Sequence, residues 1–269
     1  MLALVLPRLV SARSSVRRST SVIERNVATL RSSYWVVMAT GLLEPVLYLF
    51  SIGVGVGALI GDLPLPDGRV VSYAAFVAPA MLASSAMTGA LSETTFNFFG
   101  KMKFMKLYDG MLATPLRPME IALGELAWAM IRGSIYAAAF LVLMVLMGLT
   151  TAGLAVVAFL AAVLVGFAFG GVGMALSTFM RSWQDFDLMA SAQFALFLFS
   201  GTFVPAQAYP QVLRWVVEVT PLYRSVDLIR GVTTGAWGWL QLLDLVYLIV
   251  LLGVGLTVAG RRMGILLCK

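Results

Sequence analysis

The chain has no histidine and only one cysteine, Cys268. The first absence removes imidazole from acid–base catalysis and from metal ligation. The second excludes an internal disulfide and any multi-cysteine metal site. Charge is scarce too: Asp, Glu, Lys and Arg make up 12% of the 269 residues, where a soluble domain carries about 25%. No G-x-x-x-x-G-K-[ST] loop occurs, so the chain cannot cradle ATP in the P-loop manner, and no glycine-rich dinucleotide fingerprint is spelled. Paired aspartate clusters of the kind that hold magnesium diphosphate are missing, and Asp185 with Asp187 is too weak a signal to replace them. No catalytic residue, metal site or bound cofactor is expected in this chain.

What it has in excess is apolar side chains, 60% of the total. That composition predicts an all-α membrane protein built from spans of about 20 residues. Hydropathy and breaker residues place six: 34–60, 73–96, 118–149, 154–180, 188–203 and 239–260. An even number of spans puts both termini on one side. With them fall 14 of the 19 Lys and Arg residues, which predicts cytoplasmic termini. The same asymmetry accounts for the net charge of +6 without nucleic acid. The opening MLALVLPRLVSARSSVRR lacks a positive n-region and is interrupted by Pro7, so it reads as a cytoplasmic tail rather than a signal peptide. Val16, Ile23, Val27, Leu30 and Tyr34 share one helical face among arginines, predicting an interfacial helix over 16–33; a plain basic tail is the bland alternative. The domain division is 1–33 for tail and interfacial helix, 34–260 for the transmembrane domain and 261–269 for a second cytoplasmic tail.

Few charges interrupt the spans. Glu44 precedes Pro45 in the first, and Glu93 sits near the inner end of the second. The third carries Glu125 and Arg132, seven residues and therefore about 10 Å apart along the axis. Arg132 is thus expected to pair across helices, with Glu93 or Glu44, either as a structural ion pair or as a substrate contact. Gly166, Gly170, Gly171 and Gly173 leave one side of the fourth span nearly bare, a packing face. Pro205, Pro210 and Pro221 break the stretch 201–235 too often for a span. Val212, Trp215, Val216 and Val219, then Leu222, Val226 and Ile229, mark two short amphipathic helices dipping back toward the membrane.

The longest polar interruption is 97–126. Lys101, Lys103 and Lys106 lie between aromatic and aliphatic residues, and Phe104, Leu107, Tyr108 and Met111 form a stripe at i, i+3, i+4, i+7. This predicts a helix over 101–112 that either docks in a partner's groove or rests on the inner leaflet. Pro115 and Pro118 fix φ and push Thr114 and Arg117 toward extended geometry, a stiff elbow.

LYDGMLATPLRPMEIALGE, residues 107–125, resembles the inner-loop signature of the ABC-2 type transporter permeases. SGTFVP at 200–205 and TPLYRSVDLIRG at 220–231 resemble the outer motif of the same family. The likeness covers nearly the whole chain from about residue 20 and is nearest to the branch of nodulation-factor and daunorubicin-type exporter permeases. It implies the membrane subunit of an ATP-driven exporter in the bacterial inner membrane, moving an amphipathic drug, lipid, glycolipid or lipooligosaccharide. It also implies a homodimer in membrane lipid, joined by two copies of a separate ABC ATPase subunit that hold ATP and Mg. Lys101, Lys103, Phe104, Lys106, Leu107, Tyr108, Asp109 and Met111 would then contact the ATPase, with Pro115, Arg117 and Pro118 as the elbow. Pro205, Pro210, Pro221, Arg224, Asp227 and Arg230 would belong to a re-entrant outer gate, and Glu44 and Gln193 would lie near the route. Where relatives often carry a histidine after the PL of the outer motif, this chain has Tyr223–Arg224. The rival reading is an ion-coupled secondary transporter using Glu44, Glu93 and Arg132; a third is a membrane scaffold without transport.

Overall fold

The computed structural model describes residues 20–26, 43, 46–64, 68, 70–114, 116 and 118–267. In chain order the helices are α1 (20–26), α2 (Val46–Ile60), α3 (Tyr73–Phe104), α4 (Leu107–Leu112), α5 (Pro118–Leu146), α6 (Ala152–Ser177), α7 (Gln184–Leu198), α8 (Gln211–Val219), α9 (Pro221–Thr233) and α10 (Trp239–Leu267). The only strands among the described residues, β1 (Asp62–Pro64) and β2 (Val70–Ser72), pair antiparallel between α2 and α3. Ser72 ends the hairpin and starts α3, because its Oγ accepts the Ala75 N–H at 3.3 Å.

Four helices, α3, α5, α6 and α10, are 26 to 32 residues long and apolar, enough to cross a bilayer that needs about 20. The chain is therefore an α-helical, multi-pass membrane protein. The six-span count is not reached by length among the described residues. α7 has 15 residues, starting at Gln184 and ending at Leu198 rather than covering 188–203. The described part of α2 is short as well, and the rest of 34–60 lies outside the described residues. So do Glu44, Pro45, Pro115 and Arg117, all of 1–33 except 20–26, and 268–269 of the C-terminal tail. Residues 261–267 continue α10 as helix.

α6 is the centre of the bundle, with α10, α3 and α5 around it. Its glycines serve two directions. A Cβ on Gly255 of α10 would lie 2.5 Å from the carbonyl carbon of Gly171, so the two backbones touch there. On another side Gly170 receives Leu126 of α5 and Gly173 receives Thr94 of α3. α7 has no such approach: Met189 is its one buried residue, and it meets the rest mainly through aromatic rings.

The predicted helix over 101–112 is corrected. Residues 101–104 are the end of α3, which passes through π-helical turns at Glu93–Asn97 and Gly100–Phe104. Lys106, at φ +48°, is the one described non-glycine residue in left-handed backbone, and α4 begins only after it. The break lets Tyr108 turn inward, where it is fully buried. A straight continuation of α3 would carry that ring onward along the axis instead.

Candidate functional site

The end of the bundle bearing the three lysines is organised by Glu125. It sits about two turns inside α5, buried to 6% exposure. Its carboxylate accepts Lys101 Nζ of α3 at 2.6 Å and Asn26 Nδ2 of α1 at 3.2 Å, and lies 3.5 Å from Arg25 Nη2. One acid thus fastens three helices. Tyr108 of α4 packs beneath, its ring 5.1 Å from that of Phe98. Burial, and then the nearby Glu125 charge, push the Tyr108 hydroxyl well above its ordinary value, so it stays neutral. In sequence Glu125 is only a glutamate too far from Arg132 to pair with it. The signal that would have found it is an acid near the inner end of a span, in a chain whose basic residues collect at that end.

This geometry sorts the expected contact set. Lys101 is held by Glu125, Tyr108 is buried, and Leu107 and Met111 pack against the core. Lys103, Phe104, Lys106 and Asp109 face outward, with Met105 beside them. The apolar stripe therefore seats α4 on its own bundle, and the surface left free is cationic with one aromatic. Pro118 occupies the first turn of α5 as its missing N–H allows.

Phe104 has a second neighbour the sequence does not suggest. It stacks on Trp183 with ring centroids 5.0 Å apart and planes 15° apart. Phe96, Phe99 and Phe186 complete an aromatic cluster around Trp183 at 5.0 to 5.8 Å. The cluster joins the end of α3 to the turn that starts α7. Asp185 fixes that turn: its Oδ2 accepts the N–H groups of Arg181 at 2.6 Å and Ser182 at 3.2 Å. Those two donors hold its carboxyl below the usual range. Aromatic residues 79 positions apart give no periodic signal, which is why the pairing is invisible in one dimension.

Midway along the bundle Arg132 Nη1 meets Glu93 Oε1 at 2.5 Å, the cross-helix pair expected between α5 and α3. Beside it lies a cavity of about 450 Å³ between α2, α3, α5, α6 and α7. Gln193 lines it together with Tyr48, Ser84, Tyr136, Phe194 and Phe197.

At the opposite end the prolines begin helices rather than merely breaking them. Pro205 precedes a 3₁₀ turn at Ala206–Ala208, Pro210 precedes α8, and Pro221 is the first residue of α9 behind a Thr220 cap that accepts the Tyr223 N–H at 3.3 Å. Arg224 of α9 donates to Asp244 of α10 at 3.0 Å, and Gln241 Nε2 donates to Asp227 at 3.3 Å. Arg230 donates to the carbonyls of Phe76 at 3.2 Å and Gly201 at 2.9 Å while its guanidinium lies 3.8 Å over the Phe76 ring. The two amphipathic faces have opposite fates. Leu222, Val226 and Ile229 are completely buried, whereas Val212, Trp215, Val216 and Val219 are 59 to 80% exposed.

A family profile described as ABC-2 type transporter matches residues 20–233, from the start of α1 to the end of α9. Nodulation protein J of Rhizobium leguminosarum bv. trifolii is 34% identical over 216 residues, 80% of each chain. That of R. leguminosarum bv. viciae is 32% identical over 216 residues, 80% of this chain and 82% of the relative. That of Rhizobium meliloti (strain 1021) is 32% identical over 196 residues, 72% and 73% of the two chains.

Proposed function

Because this chain belongs to the ABC-2 type transporter family, whose permeases pair with an ABC ATPase, we propose that it is the membrane subunit of an ATP-driven exporter. In this reading it moves an amphipathic drug, lipid, glycolipid or lipooligosaccharide across the bacterial inner membrane. Two copies form the path, with six spans each and both termini in the cytoplasm. Two ATPase subunits carry ATP and Mg, since this chain spells no nucleotide loop of its own. The family membership leaves an ion-coupled carrier without support, and Glu93 and Arg132 neutralise each other.

The observation that carries the proposal is the outward surface at the lysine-bearing end: Lys103 and Phe104 on the end of α3, Lys106 at the break and Asp109 on α4, held rigidly from beneath by Glu125 and Tyr108. A rigid mount transmits a push; a loose loop would absorb it. Two outlets receive it. α3 is one continuous helix from that end to the other, about 48 Å long by its rise per residue. The Phe104–Trp183 stack passes the same displacement to α7, the helix with the fewest ties to the bundle and a wall of the cavity. The outer gate is the α8–α9 segment, closed by Arg224, Asp227, Arg230 and their partners, and its opening requires those contacts to separate.

The test is the complex with its cognate ATPase subunit in proteoliposomes. Phe104→Glu is expected to leave the permease folded and to lower ATP-driven export by about tenfold or more, since a charge replaces a docking ring. Full coupled transport by that variant refutes the docking role. Export driven by a proton gradient with no ATPase bound refutes the exporter reading itself.

A further inference from the structure

The contact between α9 and α10 brings two carboxyls together with too few donors for both. On α9, Arg224 and Asp227 are three residues apart and share a face, and Gln241 and Asp244 do the same on α10. The cross-helix bonds run from Arg224 to Asp244 at 3.0 Å and from Gln241 to Asp227 at 3.3 Å. The four side chains make a square with the two acids on its diagonal, and Asp227 comes within hydrogen-bonding reach of Asp244. Asp244 is completely buried. Its Oδ1 accepts Arg224, whereas its Oδ2 is buried without a hydrogen-bond donor. An ionised carboxylate needs donors at both oxygens, and a buried oxygen without one costs its lost hydration. Two carboxylates in contact repel each other as well, and a proton held between them removes both penalties.

No other group around the square supplies the missing donor. Arg230 of α9 acts on Asp227 through space, but its hydrogen bonds go to the Phe76 and Gly201 carbonyls. Tyr223 of α9 is neutral, its hydroxyl pushed up to about 12 by burial and then by the Asp227 charge. Glu218 of α8 is held by Arg214 at 2.6 Å, and Tyr247 of α10 donates to the Val219 carbonyl at 3.1 Å. α6 carries no charged residue, nor do Tyr73–Ser92 of α3 or α5 beyond Arg132. Water reaches the edge of the square, since the Arg224 side chain is 28% exposed.

We propose that Asp227 and Asp244 hold one proton between them while α9 and α10 are in contact, and that this proton is released to water when the two helices part. With the proton in place one carboxyl donates to the other, and Asp244 still accepts Arg224. Separated aspartates are ionised at neutral pH. Parting therefore costs the pair one proton, and rising pH favours it. The inference rests on the outer-gate reading for its purpose, but the proton itself requires only the permease.

The experiment uses the full chain in nanodiscs without the ATPase, so its outcome is independent of ATP coupling and of export. Infrared difference spectra between the wild type and each variant are recorded from mildly acid to mildly alkaline pH. The wild type is expected to show the deuterium-sensitive carbonyl stretch of a protonated carboxyl at neutral pH. Asp227→Asn and Asp244→Asn should each abolish it, because the proton belongs to the pair. Amide protection in 222–230 and 241–247, corrected for intrinsic exchange, should fall by about tenfold per pH unit over the range in which the band disappears, the slope for one linked proton. Asp227→Asn should lose that pH dependence, since its amide donates to Asp244 at any pH, and it keeps the test alive if Asp244→Asn does not fold. A band that appears only in the acid range of free aspartates overturns the proposal and leaves Asp244 as a plain partner of Arg224. So does a band that survives in either variant, or protection that ignores pH in the wild type.

Discussion

The two ends of this bundle are both tied by charge, but they spend it differently. At the lysine-bearing end one buried acid, Glu125, is shared by Lys101, Arg25 and Asn26, and the remaining lysines are left facing outward. At the opposite end each of three α9 groups is committed inward: Arg224 to Asp244, Asp227 to Gln241, and Arg230 to two backbone carbonyls and a ring. The first end keeps a surface free for a partner, whereas the second keeps none of these groups free. Under the proposed exporter reading, the difference says where motion would start and what it would have to break: a push received on a braced, exposed patch would be resisted by a network whose contacts all lie within the protein.

Breaking the inward network should give the largest effect. Arg230→Met strands the Phe76 and Gly201 carbonyls and removes the cation over the Phe76 ring, an expected loss of about 3–5 kcal/mol for two charge-assisted hydrogen bonds and a cation–π contact. It would be read as a fall in thermal midpoint and as faster amide exchange around Phe76 and 199–204. Exchange at the Glu125 end should not change, and a change there would erase the comparison. Glu125→Gln removes the shared charge at the other end. About 2–3 kcal/mol is expected, the worth of a charge-assisted contact set partly open to water, visible as exchange in α1 and α4 and silent at α9. Trp183→Ala removes an aromatic stack worth about 0.5–1.5 kcal/mol. Its main expected outcome is functional: the ATPase remains bound and active while substrate moved per ATP falls, and Trp183→Phe restores it. If Trp183→Ala weakens ATPase binding instead, the cluster is part of the docking surface and not a relay. The smallest effect is at Asp185. Its folded-state carboxyl is held below the ordinary value, so its contribution is complete above an unfolded aspartate's titration near pH 4 and lost as pH falls through the lower folded value. Amide protection at Arg181 and Ser182 should therefore decline in acid, and Asp185→Asn should show weak protection already at neutral pH.

How much of this was legible depends on whether a feature is written along the chain or across it. Pro118 as the start of α5 and the two short helices after Pro210 and Pro221 follow from local rules and appear as expected, and the span placed at 118–149 ends slightly earlier, at Leu146. A cross-helix partner for Arg132, Glu93 or Glu44, was expected because intramembrane charges need partners and few were available, and Glu93 is the one found. Periodicity found the apolar faces of α8 and α9 but could not tell that one is buried and the other exposed, since both have the same spacing. The stripe through Phe104, Leu107, Tyr108 and Met111 misled for a related reason. A helix pattern was read across Lys106, and nothing in a lysine announces left-handed backbone, which glycine or asparagine would. The Glu125 hub and the Phe104–Trp183 stack join residues far apart in sequence, and no spacing rule reaches them.

The contact of Gly171 with Gly255 has a consequence for how the molecule is made. α6 is synthesised and inserted well before α10, and domains assemble largely in the order they emerge. Until the last helix arrives, the strip of α6 around Gly171 is bare backbone facing lipid, a groove with nothing in it. Lipid chains can occupy it but cannot match a helix that fits within backbone contact distance. The final helix therefore completes the central member of the bundle rather than adding a layer to it. A chain stalled before Gly255 would carry an unfinished seam at its centre.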